Sequence, residues 1–202
     1  IFIGPRAMNI ASFHMGTTEF MLAQAMDPDG SHRLLKKITD FICDWLSWQK
    51  ECFPSIEGVL VLDDIIGFIG EAEFQEFVMP YFKRIFAVTG AKARFLHNDA
   101  DGLITARNLK DMGVNMFNFS FNHSMGLIRE LSGPDIILVG NIPARDVLGS
   151  GTTSQVEEAV KKACGEIADH KKIIWSAGGG MPPDVKDENI HAFINSVKKL
   201  SK

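Results

Sequence analysis

Short apolar runs alternate with helical periods along this chain, and that alternation limits its fold more than any other feature. IFI (1–3), GVLVL (58–62), ARFLH (93–97), VNMFNF (114–119), DIILVG (135–140) and KIIWS (172–176) are nearly continuous in apolar residues. Successive side chains of a strand point to opposite faces, so a strand with one wet face alternates apolar and polar residues. A continuous run marks a strand covered on both faces, the condition of parallel sheets flanked by helices.

The intervals carry helical spacing. Residues 31–48 place Leu34, Ile38, Phe41 and Trp45 on one stripe, with Leu35, Ile42 and Leu46 beside it. Residues 73–88 repeat Phe74, Phe77, Val78, Phe82, Ile85 and Phe86 around Pro80, which removes an amide donor and predicts a kink or break there. Ser154 and Glu157 have the spacing of a capping box. A last helix over 187–200 takes Asp187 as its N-cap and turns Ile190, Phe193, Ile194 and Val197 inward.

Strand and helix in alternation predict an α/β fold with a parallel sheet. Six strands suffice for a doubly wound sheet, whereas a (β/α)8 barrel needs eight and about 250 residues. The chain has 202 residues and opens at Ile1 inside a strand-like run. Six strands in a chain that opens mid-strand also fit a (β/α)8 TIM barrel, one domain over residues 1–202, whose N-terminal strands and helices lie upstream of Ile1; the doubly wound sheet stays open at this point.

Composition excludes several classes of function. A net charge of −4 offers no basic stripe for phosphates, so no nucleic-acid partner is expected. No apolar run approaches the roughly 20 residues that span a bilayer, so no membrane association is expected either. Cys43, Cys52 and Cys164 are too sparse and scattered for a disulfide framework; they read as small buried thiols in a cytoplasmic protein. No GxGxxG or GxxxxGK[ST] motif occurs. The glycines at 178–180 precede Met181, Pro182 and Pro183, and prolines cannot donate amides to a phosphate, so a tight turn beneath a pocket is the better reading.

Candidate functional side chains cluster where apolar runs end. His97 and Asp99 are two residues apart and point the same way if strand geometry persists. At the C-terminal end of a barrel strand that direction is the active-site mouth. The plainer alternative is a polar loop. Asp63 and Asp64 end another run; as neighbours they point oppositely, so at most one reaches the pocket unless the backbone turns, and one is expected as a ligand or acid/base group; the plainer alternative is capping of the following helix. Asn141, Arg6 and Gly179 are candidates for substrate contact, and Glu19 for a further carboxylate toward a metal. Met15, Met21 and Met26 read as core or pocket lining. His14 reads as a packing residue; His123, His170 and His191 read as solvated.

Three stretches resemble the uroporphyrinogen decarboxylase superfamily, which includes the tetrapyrrole decarboxylase and zinc- or corrinoid-linked methyltransferases. They are LHNDADGLITARNLKDMGVNMFNF, IILVGNIPARDVLGSGTTSQVEEAVKKA and KIIWSAGGGMPPDVKDENIHAFINSVKKL. GNIP after a strand, GT before a capped helix, and ENI before the last helix carry most of the likeness. GVLVLDD and EFQEFVMPYFKRI fit the family's middle segment, and GPRAMNIASFHMG its opening turn. The resemblance implies a TIM barrel with its first units upstream of Ile1.

It also implies a set of functional positions. In the decarboxylases a Tyr of the opening segment, a Ser after the middle strand and a His of the final glycine-rich loop fall at Ala11 (or Ser12), Asp64 and Gly179. In the methyltransferases a His-x-Cys pair and a later Cys hold zinc; those positions fall at His97, Asp99 and Gly179. The sulfur ligands are replaced, and imidazole plus carboxylates would hold zinc or another divalent ion in an oxygen-rich set. Such a set suits an oxygen substrate better than a thiol. The implied activity is a methyltransferase moving a methyl group between a small methylated compound and a corrinoid protein. His97, Asp99 and Glu19 would be its metal ligands, and Asp63 and Asp64 its catalytic carboxylates. The alternatives are a uroporphyrinogen decarboxylase-type lyase, or a non-catalytic binding protein on the same fold. Expected partners are a small-molecule substrate, a corrinoid protein and a second copy of the chain in a homodimer.

Overall fold

The computed structural model, which describes residues 2–4 and 7–200, turns all six apolar runs into strands. They are β1 (Phe2–Gly4), β2 (Gly58–Leu62), β3 (Ala93–Asn98), β4 (Met116–Phe119), β5 (Ile137–Ile142) and β6 (Ile173–Ala177). Every strand pairs in parallel with its neighbours in sequence, giving one sheet ordered β1 to β6. A doubly wound sheet reverses its order at a switch point. Among the described residues no reversal occurs, and right-handed crossovers then carry every connection over the same side. This is the winding of a TIM-type barrel wall.

The connections are helical. α1 (Ala7–Met15), α2 (Thr17–Met26) and α3 (Pro28–Cys52) lie between β1 and β2. A 3-10 turn (Ile65–Gly67), α4 (Glu71–Glu73), a π-helical turn (Phe74–Val78) and α5 (Met79–Val88) follow β2. α6 (Leu103–Met112) and α7 (Met125–Ser132) follow β3 and β4. A π-helical segment (Ala144–Gly149) and α8 (Thr153–Gly165) follow β5, and α9 (Asp187–Leu200) follows β6. Neighbouring helices pack on one another, α3 on α5, α5 on α6, α6 on α7 and α8 on α9.

The two faces of the sheet differ. Val61, Leu96, Phe117 and Leu138 share a register row and are fully buried beneath the helices. The opposite face carries the row Leu62, His97, Asn118, Val139 and Ile174. Along that face Leu60, Leu62, Phe95, Met116 and Ile137 are half-buried and Ile174 is exposed. Apolar runs predicted burial on both faces; among the described residues the concave face of the six-stranded arc is only partly covered.

Local signals were mostly placed well, with shifts of register. The break expected at Pro80 appears as the π-helical turn before α5, with Pro80 in that helix's first turn, where its missing amide costs nothing. The capping box lies two residues before its expected place. Thr152 Oγ1 accepts from the Gln155 amide at 3.3 Å, and Gln155 Oε1 accepts from the Thr152 amide at 2.8 Å. Asp187 stands inside the first turn of α9 rather than at its cap, still favourable to the helix dipole. On α9 Asn189, Ala192 and Ser196 are the buried positions, and Ile194 is exposed.

On α3 the covered stripe is Leu35, Ile38, Ile42 and Leu46, all buried, whereas Phe41 is 61% and Trp45 39% exposed. The apolar arc of this helix is wider than the face its neighbours cover, so spacing alone could not choose between adjacent stripes. Ile42→Ala is expected to lower the unfolding free energy by about 2–5 kcal/mol. Phe41→Ser on the same helix should change it by less than about 0.5 kcal/mol. Urea denaturation of both variants checks the contrast.

Candidate functional site

β2 and β3 end side by side. Beyond β2 the chain runs through Asp63 and Asp64 into the 3-10 turn; beyond β3 it runs through Asp99. Asp64, His97 and Asp99 each bring one ligand atom into a group whose members all lie within 4.8 Å of one another. The Asp99 amide donates to Asp64 Oδ1 at 3.3 Å, and His97 Nε2 stands 3.7 Å from Asp99 Oδ2. The His97 side chain is 16% exposed and that of Asp99 47%. Burial, and then the neighbouring Asp99 carboxylate, push the Asp64 carboxyl above its ordinary value; His97 pulls it back.

Two carboxylates this close favour either a shared proton or a bound cation. The donors available are one imidazole nitrogen and carboxylate oxygens, with no thiolate among them. Cys164 is buried on α8, Cys43 is half-buried on α3, and Cys52 is exposed at the end of α3, contrary to its expected burial. A nitrogen-and-oxygen set of this kind fits zinc or a harder divalent ion.

Asp63 has a different role from its neighbour. It is fully buried, and its Oδ2 accepts from the amides of Met8 at 3.1 Å and Asn9 at 3.4 Å, in the first turn of α1. Its Oδ1 accepts from the Ile65 amide at 3.2 Å, at the start of the 3-10 turn. The carboxylate thus satisfies helix-end donors that have no intrahelical partner. Burial pushes its carboxyl up to about 7, against the pull of those amides.

The remaining candidates are dispersed. Glu19 is exposed on α2 with its carboxylate folded over Gly16, and the structure does not bring it into the group. Arg6 lies outside the described residues. Asn141 is buried at the end of β5, and its Nδ2 donates to the His123 carbonyl at 2.6 Å. It lines a cleft of about 360 Å³ together with His123, Lys162 and Glu166. Gly179 stands next to the group: a Cβ built there would lie 3.5 Å from Asp99 Oδ2. It lines a second cavity, of about 190 Å³, with Asp99, Phe121 and Arg145.

Two histidines expected in solvent are held by the protein. His123 is 15% exposed, with Nε2 3.3 Å from Asp101 Oδ1. His170 Nε2 donates to the Cys164 carbonyl at 3.0 Å and its ring packs edge-on against Trp175. His191 and His14 are exposed. Met21 lines a cavity with Gln24 and Phe77, but Met15 and Met26 are exposed rather than core.

One residue of the site escaped the sequence reading. Asn118, on β4, is buried directly beside His97, with Oδ1 2.5 Å from His97 Nδ1. A polar residue in the middle of the run VNMFNF was the signal.

With this geometry in place, comparison with known proteins is specific. The model of the family "Uroporphyrinogen decarboxylase (URO-D)" matches residues 7–200. A uroporphyrinogen decarboxylase of Dichelobacter nodosus is 25% identical over 182 residues, covering 90% of this chain and 50% of that protein. One from Danio rerio is 26% identical over 183 residues, covering 87% and 48%. The chain thus spans about half the length of the curated relatives it matches. A methyltransferase from Methanosarcina mazei has the same fold, with a TM-score of 0.83 at 16% identity, over 99% of this chain and 59% of the other. No helix among the described residues is long and apolar enough to cross a membrane.

Asp63 gives a pH prediction. Its folded-state carboxyl lies near 7, above the ordinary carboxylate value near 4 that it has when unfolded. Between those values the folded state keeps a proton that the unfolded state releases. Its contribution to stability is therefore fully present below about pH 4 and lost as pH rises toward about 7, with a slope of at most about 1.4 kcal/mol per unit. Asp63→Asn should flatten that part of the curve, measured by urea denaturation at a series of pH values.

Proposed function

This chain belongs to the uroporphyrinogen decarboxylase family, and from that membership we propose a methyltransferase-like activity, moving a methyl group between a small methylated compound and a corrinoid protein. The observation that carries the reading is the convergence of Asp64, His97 and Asp99 at the ends of β2 and β3. By resemblance, His97 and Asp99 stand where the methyltransferases carry their His-x-Cys zinc ligands. Gly179, beside Asp99, stands where those enzymes carry the later Cys.

The donor set fits a divalent cation held by His97 Nε2 and one oxygen each from Asp64 and Asp99. Such a cation, when bound, supplies Lewis acidity toward an oxygen of the methylated compound. The protein's own groups gather and orient. The two carboxylates supply negative charge at the mouth, and partial burial of His97 keeps its ring in place. The cavity beside Asp99 and Gly179 has the volume for a small compound rather than a macrocycle. The open end of the sheet would face the corrinoid on its partner protein.

A second reading, decarboxylation of a porphyrinogen, is favoured by the names of the curated relatives. Against it, the positions where the resemblance implies a Tyr, a Ser and a His hold Ala11 (or Ser12), Asp64 and Gly179, and Ala11 and Ser12 are both buried. An acidic pair is also ill matched to a substrate rich in carboxylates.

Elemental analysis of the protein purified without chelator tests the first reading. About one equivalent of a divalent metal is expected, lost in His97→Ala, together with methyl transfer to cob(I)alamin that fails in the same variant. Metal in neither sample overturns the metal-assisted form. Conversion of uroporphyrinogen with no methyl transfer establishes the second reading instead.

A further inference from the structure

We infer that Asn118 is a positioning residue that fixes the tautomer of His97, leaving Nε2 as the bare nitrogen that faces Asp64 and Asp99. Asn118 is 6% exposed on β4 and pairs in register with His97 on β3 and Val139 on β5. An amide side chain has one end that donates and one that accepts. One end of this amide lies 2.6 Å from the Val139 carbonyl and 3.4 Å from the Ala177 carbonyl. Both partners are pure acceptors, so that end must be the NH2 group. Turning the amide over would press its oxygen against two carbonyl oxygens in a buried place, with neither able to donate.

The other end is therefore the oxygen, and it lies 2.5 Å from His97 Nδ1. An amide oxygen only accepts, so the hydrogen between them belongs to Nδ1. A neutral imidazole carries a single N–H, which leaves Nε2 with a lone pair. That nitrogen is the one 3.7 Å from Asp99 Oδ2. Two backbone carbonyls, one on β5 and one at the end of β6, thus select through Asn118 which nitrogen of His97 is bare. Histidine free in water prefers the opposite tautomer, with its hydrogen on Nε2, so the selection is imposed by the fold. The group then presents acceptors only, one nitrogen and the carboxylate oxygens, an arrangement built for a cation or an incoming proton. The tautomer follows from the sheet geometry whether or not the metal reading holds; second-sphere partners of this kind orient metal-binding histidines in general.

Nitrogen-15 NMR reads the tautomer directly. Long-range proton–nitrogen correlation spectra of the histidine-labelled, metal-free protein are recorded at about pH 8, above the ordinary imidazole range. His97 is assigned by the signal lost in His97→Gln. A protonated Nδ1 and a bare Nε2 are expected. A protonated Nε2, alone or together with Nδ1, overturns the inference, and this measurement needs no variant of Asn118. Asn118→Leu, which removes the acceptor while keeping the shape, should move the hydrogen to Nε2; a folded Asn118→Leu that keeps the wild-type signature also overturns it. Zinc affinity separates this inference from the proposed function. A loss of about 10–100-fold in Asn118→Leu supports both. A wild-type protein that binds no zinc but keeps the bare Nε2 signature upholds the tautomer and defeats the metal reading alone.

Discussion

In a parallel ladder a slip of one residue sends every side chain of a strand to the opposite face. The pairings of Leu62 with His97, His97 with Asn118 and Asn118 with Val139 therefore decide which groups meet at the strand ends. That register is itself held by the other face. Val61, Leu96, Phe117 and Leu138 are each fully buried, and a slip would bring polar neighbours such as Asn118 beneath the helices. Burial of large apolar side chains, worth roughly 1.5–3 kcal/mol each, thus fixes the position of an imidazole and two carboxylates that contribute little stability themselves. The strands run in one direction in unbroken chain order, so their carboxyl ends share one edge of the sheet. The candidate group uses two of those ends and is braced from three more strands, β4 through Asn118, and β5 and β6 through the carbonyls of Val139 and Ala177.

Burial raises the carboxyls of both adjacent residues at the end of β2, but their neighbours differ. Asp63 points into the protein, where peptide amides surround it and burial opposes its charge. Asp64 points to the mouth, where its own partial burial and then a second carboxylate oppose its charge and an imidazole supports it. Both carboxyls are raised, but for different purposes. One joins the start of α1 to the end of a strand; the other belongs to the group that the proposed function uses. The step of one residue between them is the strand alternation continuing beyond the last ladder pair.

Much of this was legible in the chain itself. Strands buried by helices read as apolar runs, and six such runs were six strands. His97 and Asp99 were legible because a two-residue spacing survives the end of a strand. The choice between Asp63 and Asp64 was not, since it depends on which face of β2 the helices cover, and a run apolar on both faces does not say. Glu19 was a candidate only as a further carboxylate near the opening segment, and α2 leaves it exposed. The stripe on α3 was misjudged by one position because apolar residues occur on more of that helix than its neighbours cover. α6 and α7 went unread, although Ser124 caps α7 and Gly113 ends α6 with a φ of 83°. Asn118 needed the register across three strands, information that no single stretch of sequence contains.

Gly179 has a consequence for how such a site diversifies. Its backbone does not require glycine, and a Cβ at that position would meet Asp99 Oδ2 at ordinary contact distance, 3.5 Å. The scaffold therefore tolerates a side chain there without remodelling, and that side chain would enter beside an existing donor. One position on the loop after β6 can thus alter the donor chemistry of the mouth, from oxygen toward nitrogen or sulfur, while the strands that hold His97 and Asp99 stay as they are. Fold stability rests on the helix-covered face, while the character of the mouth beside Asp99 depends on a loop position whose backbone and near surroundings leave room for a Cβ.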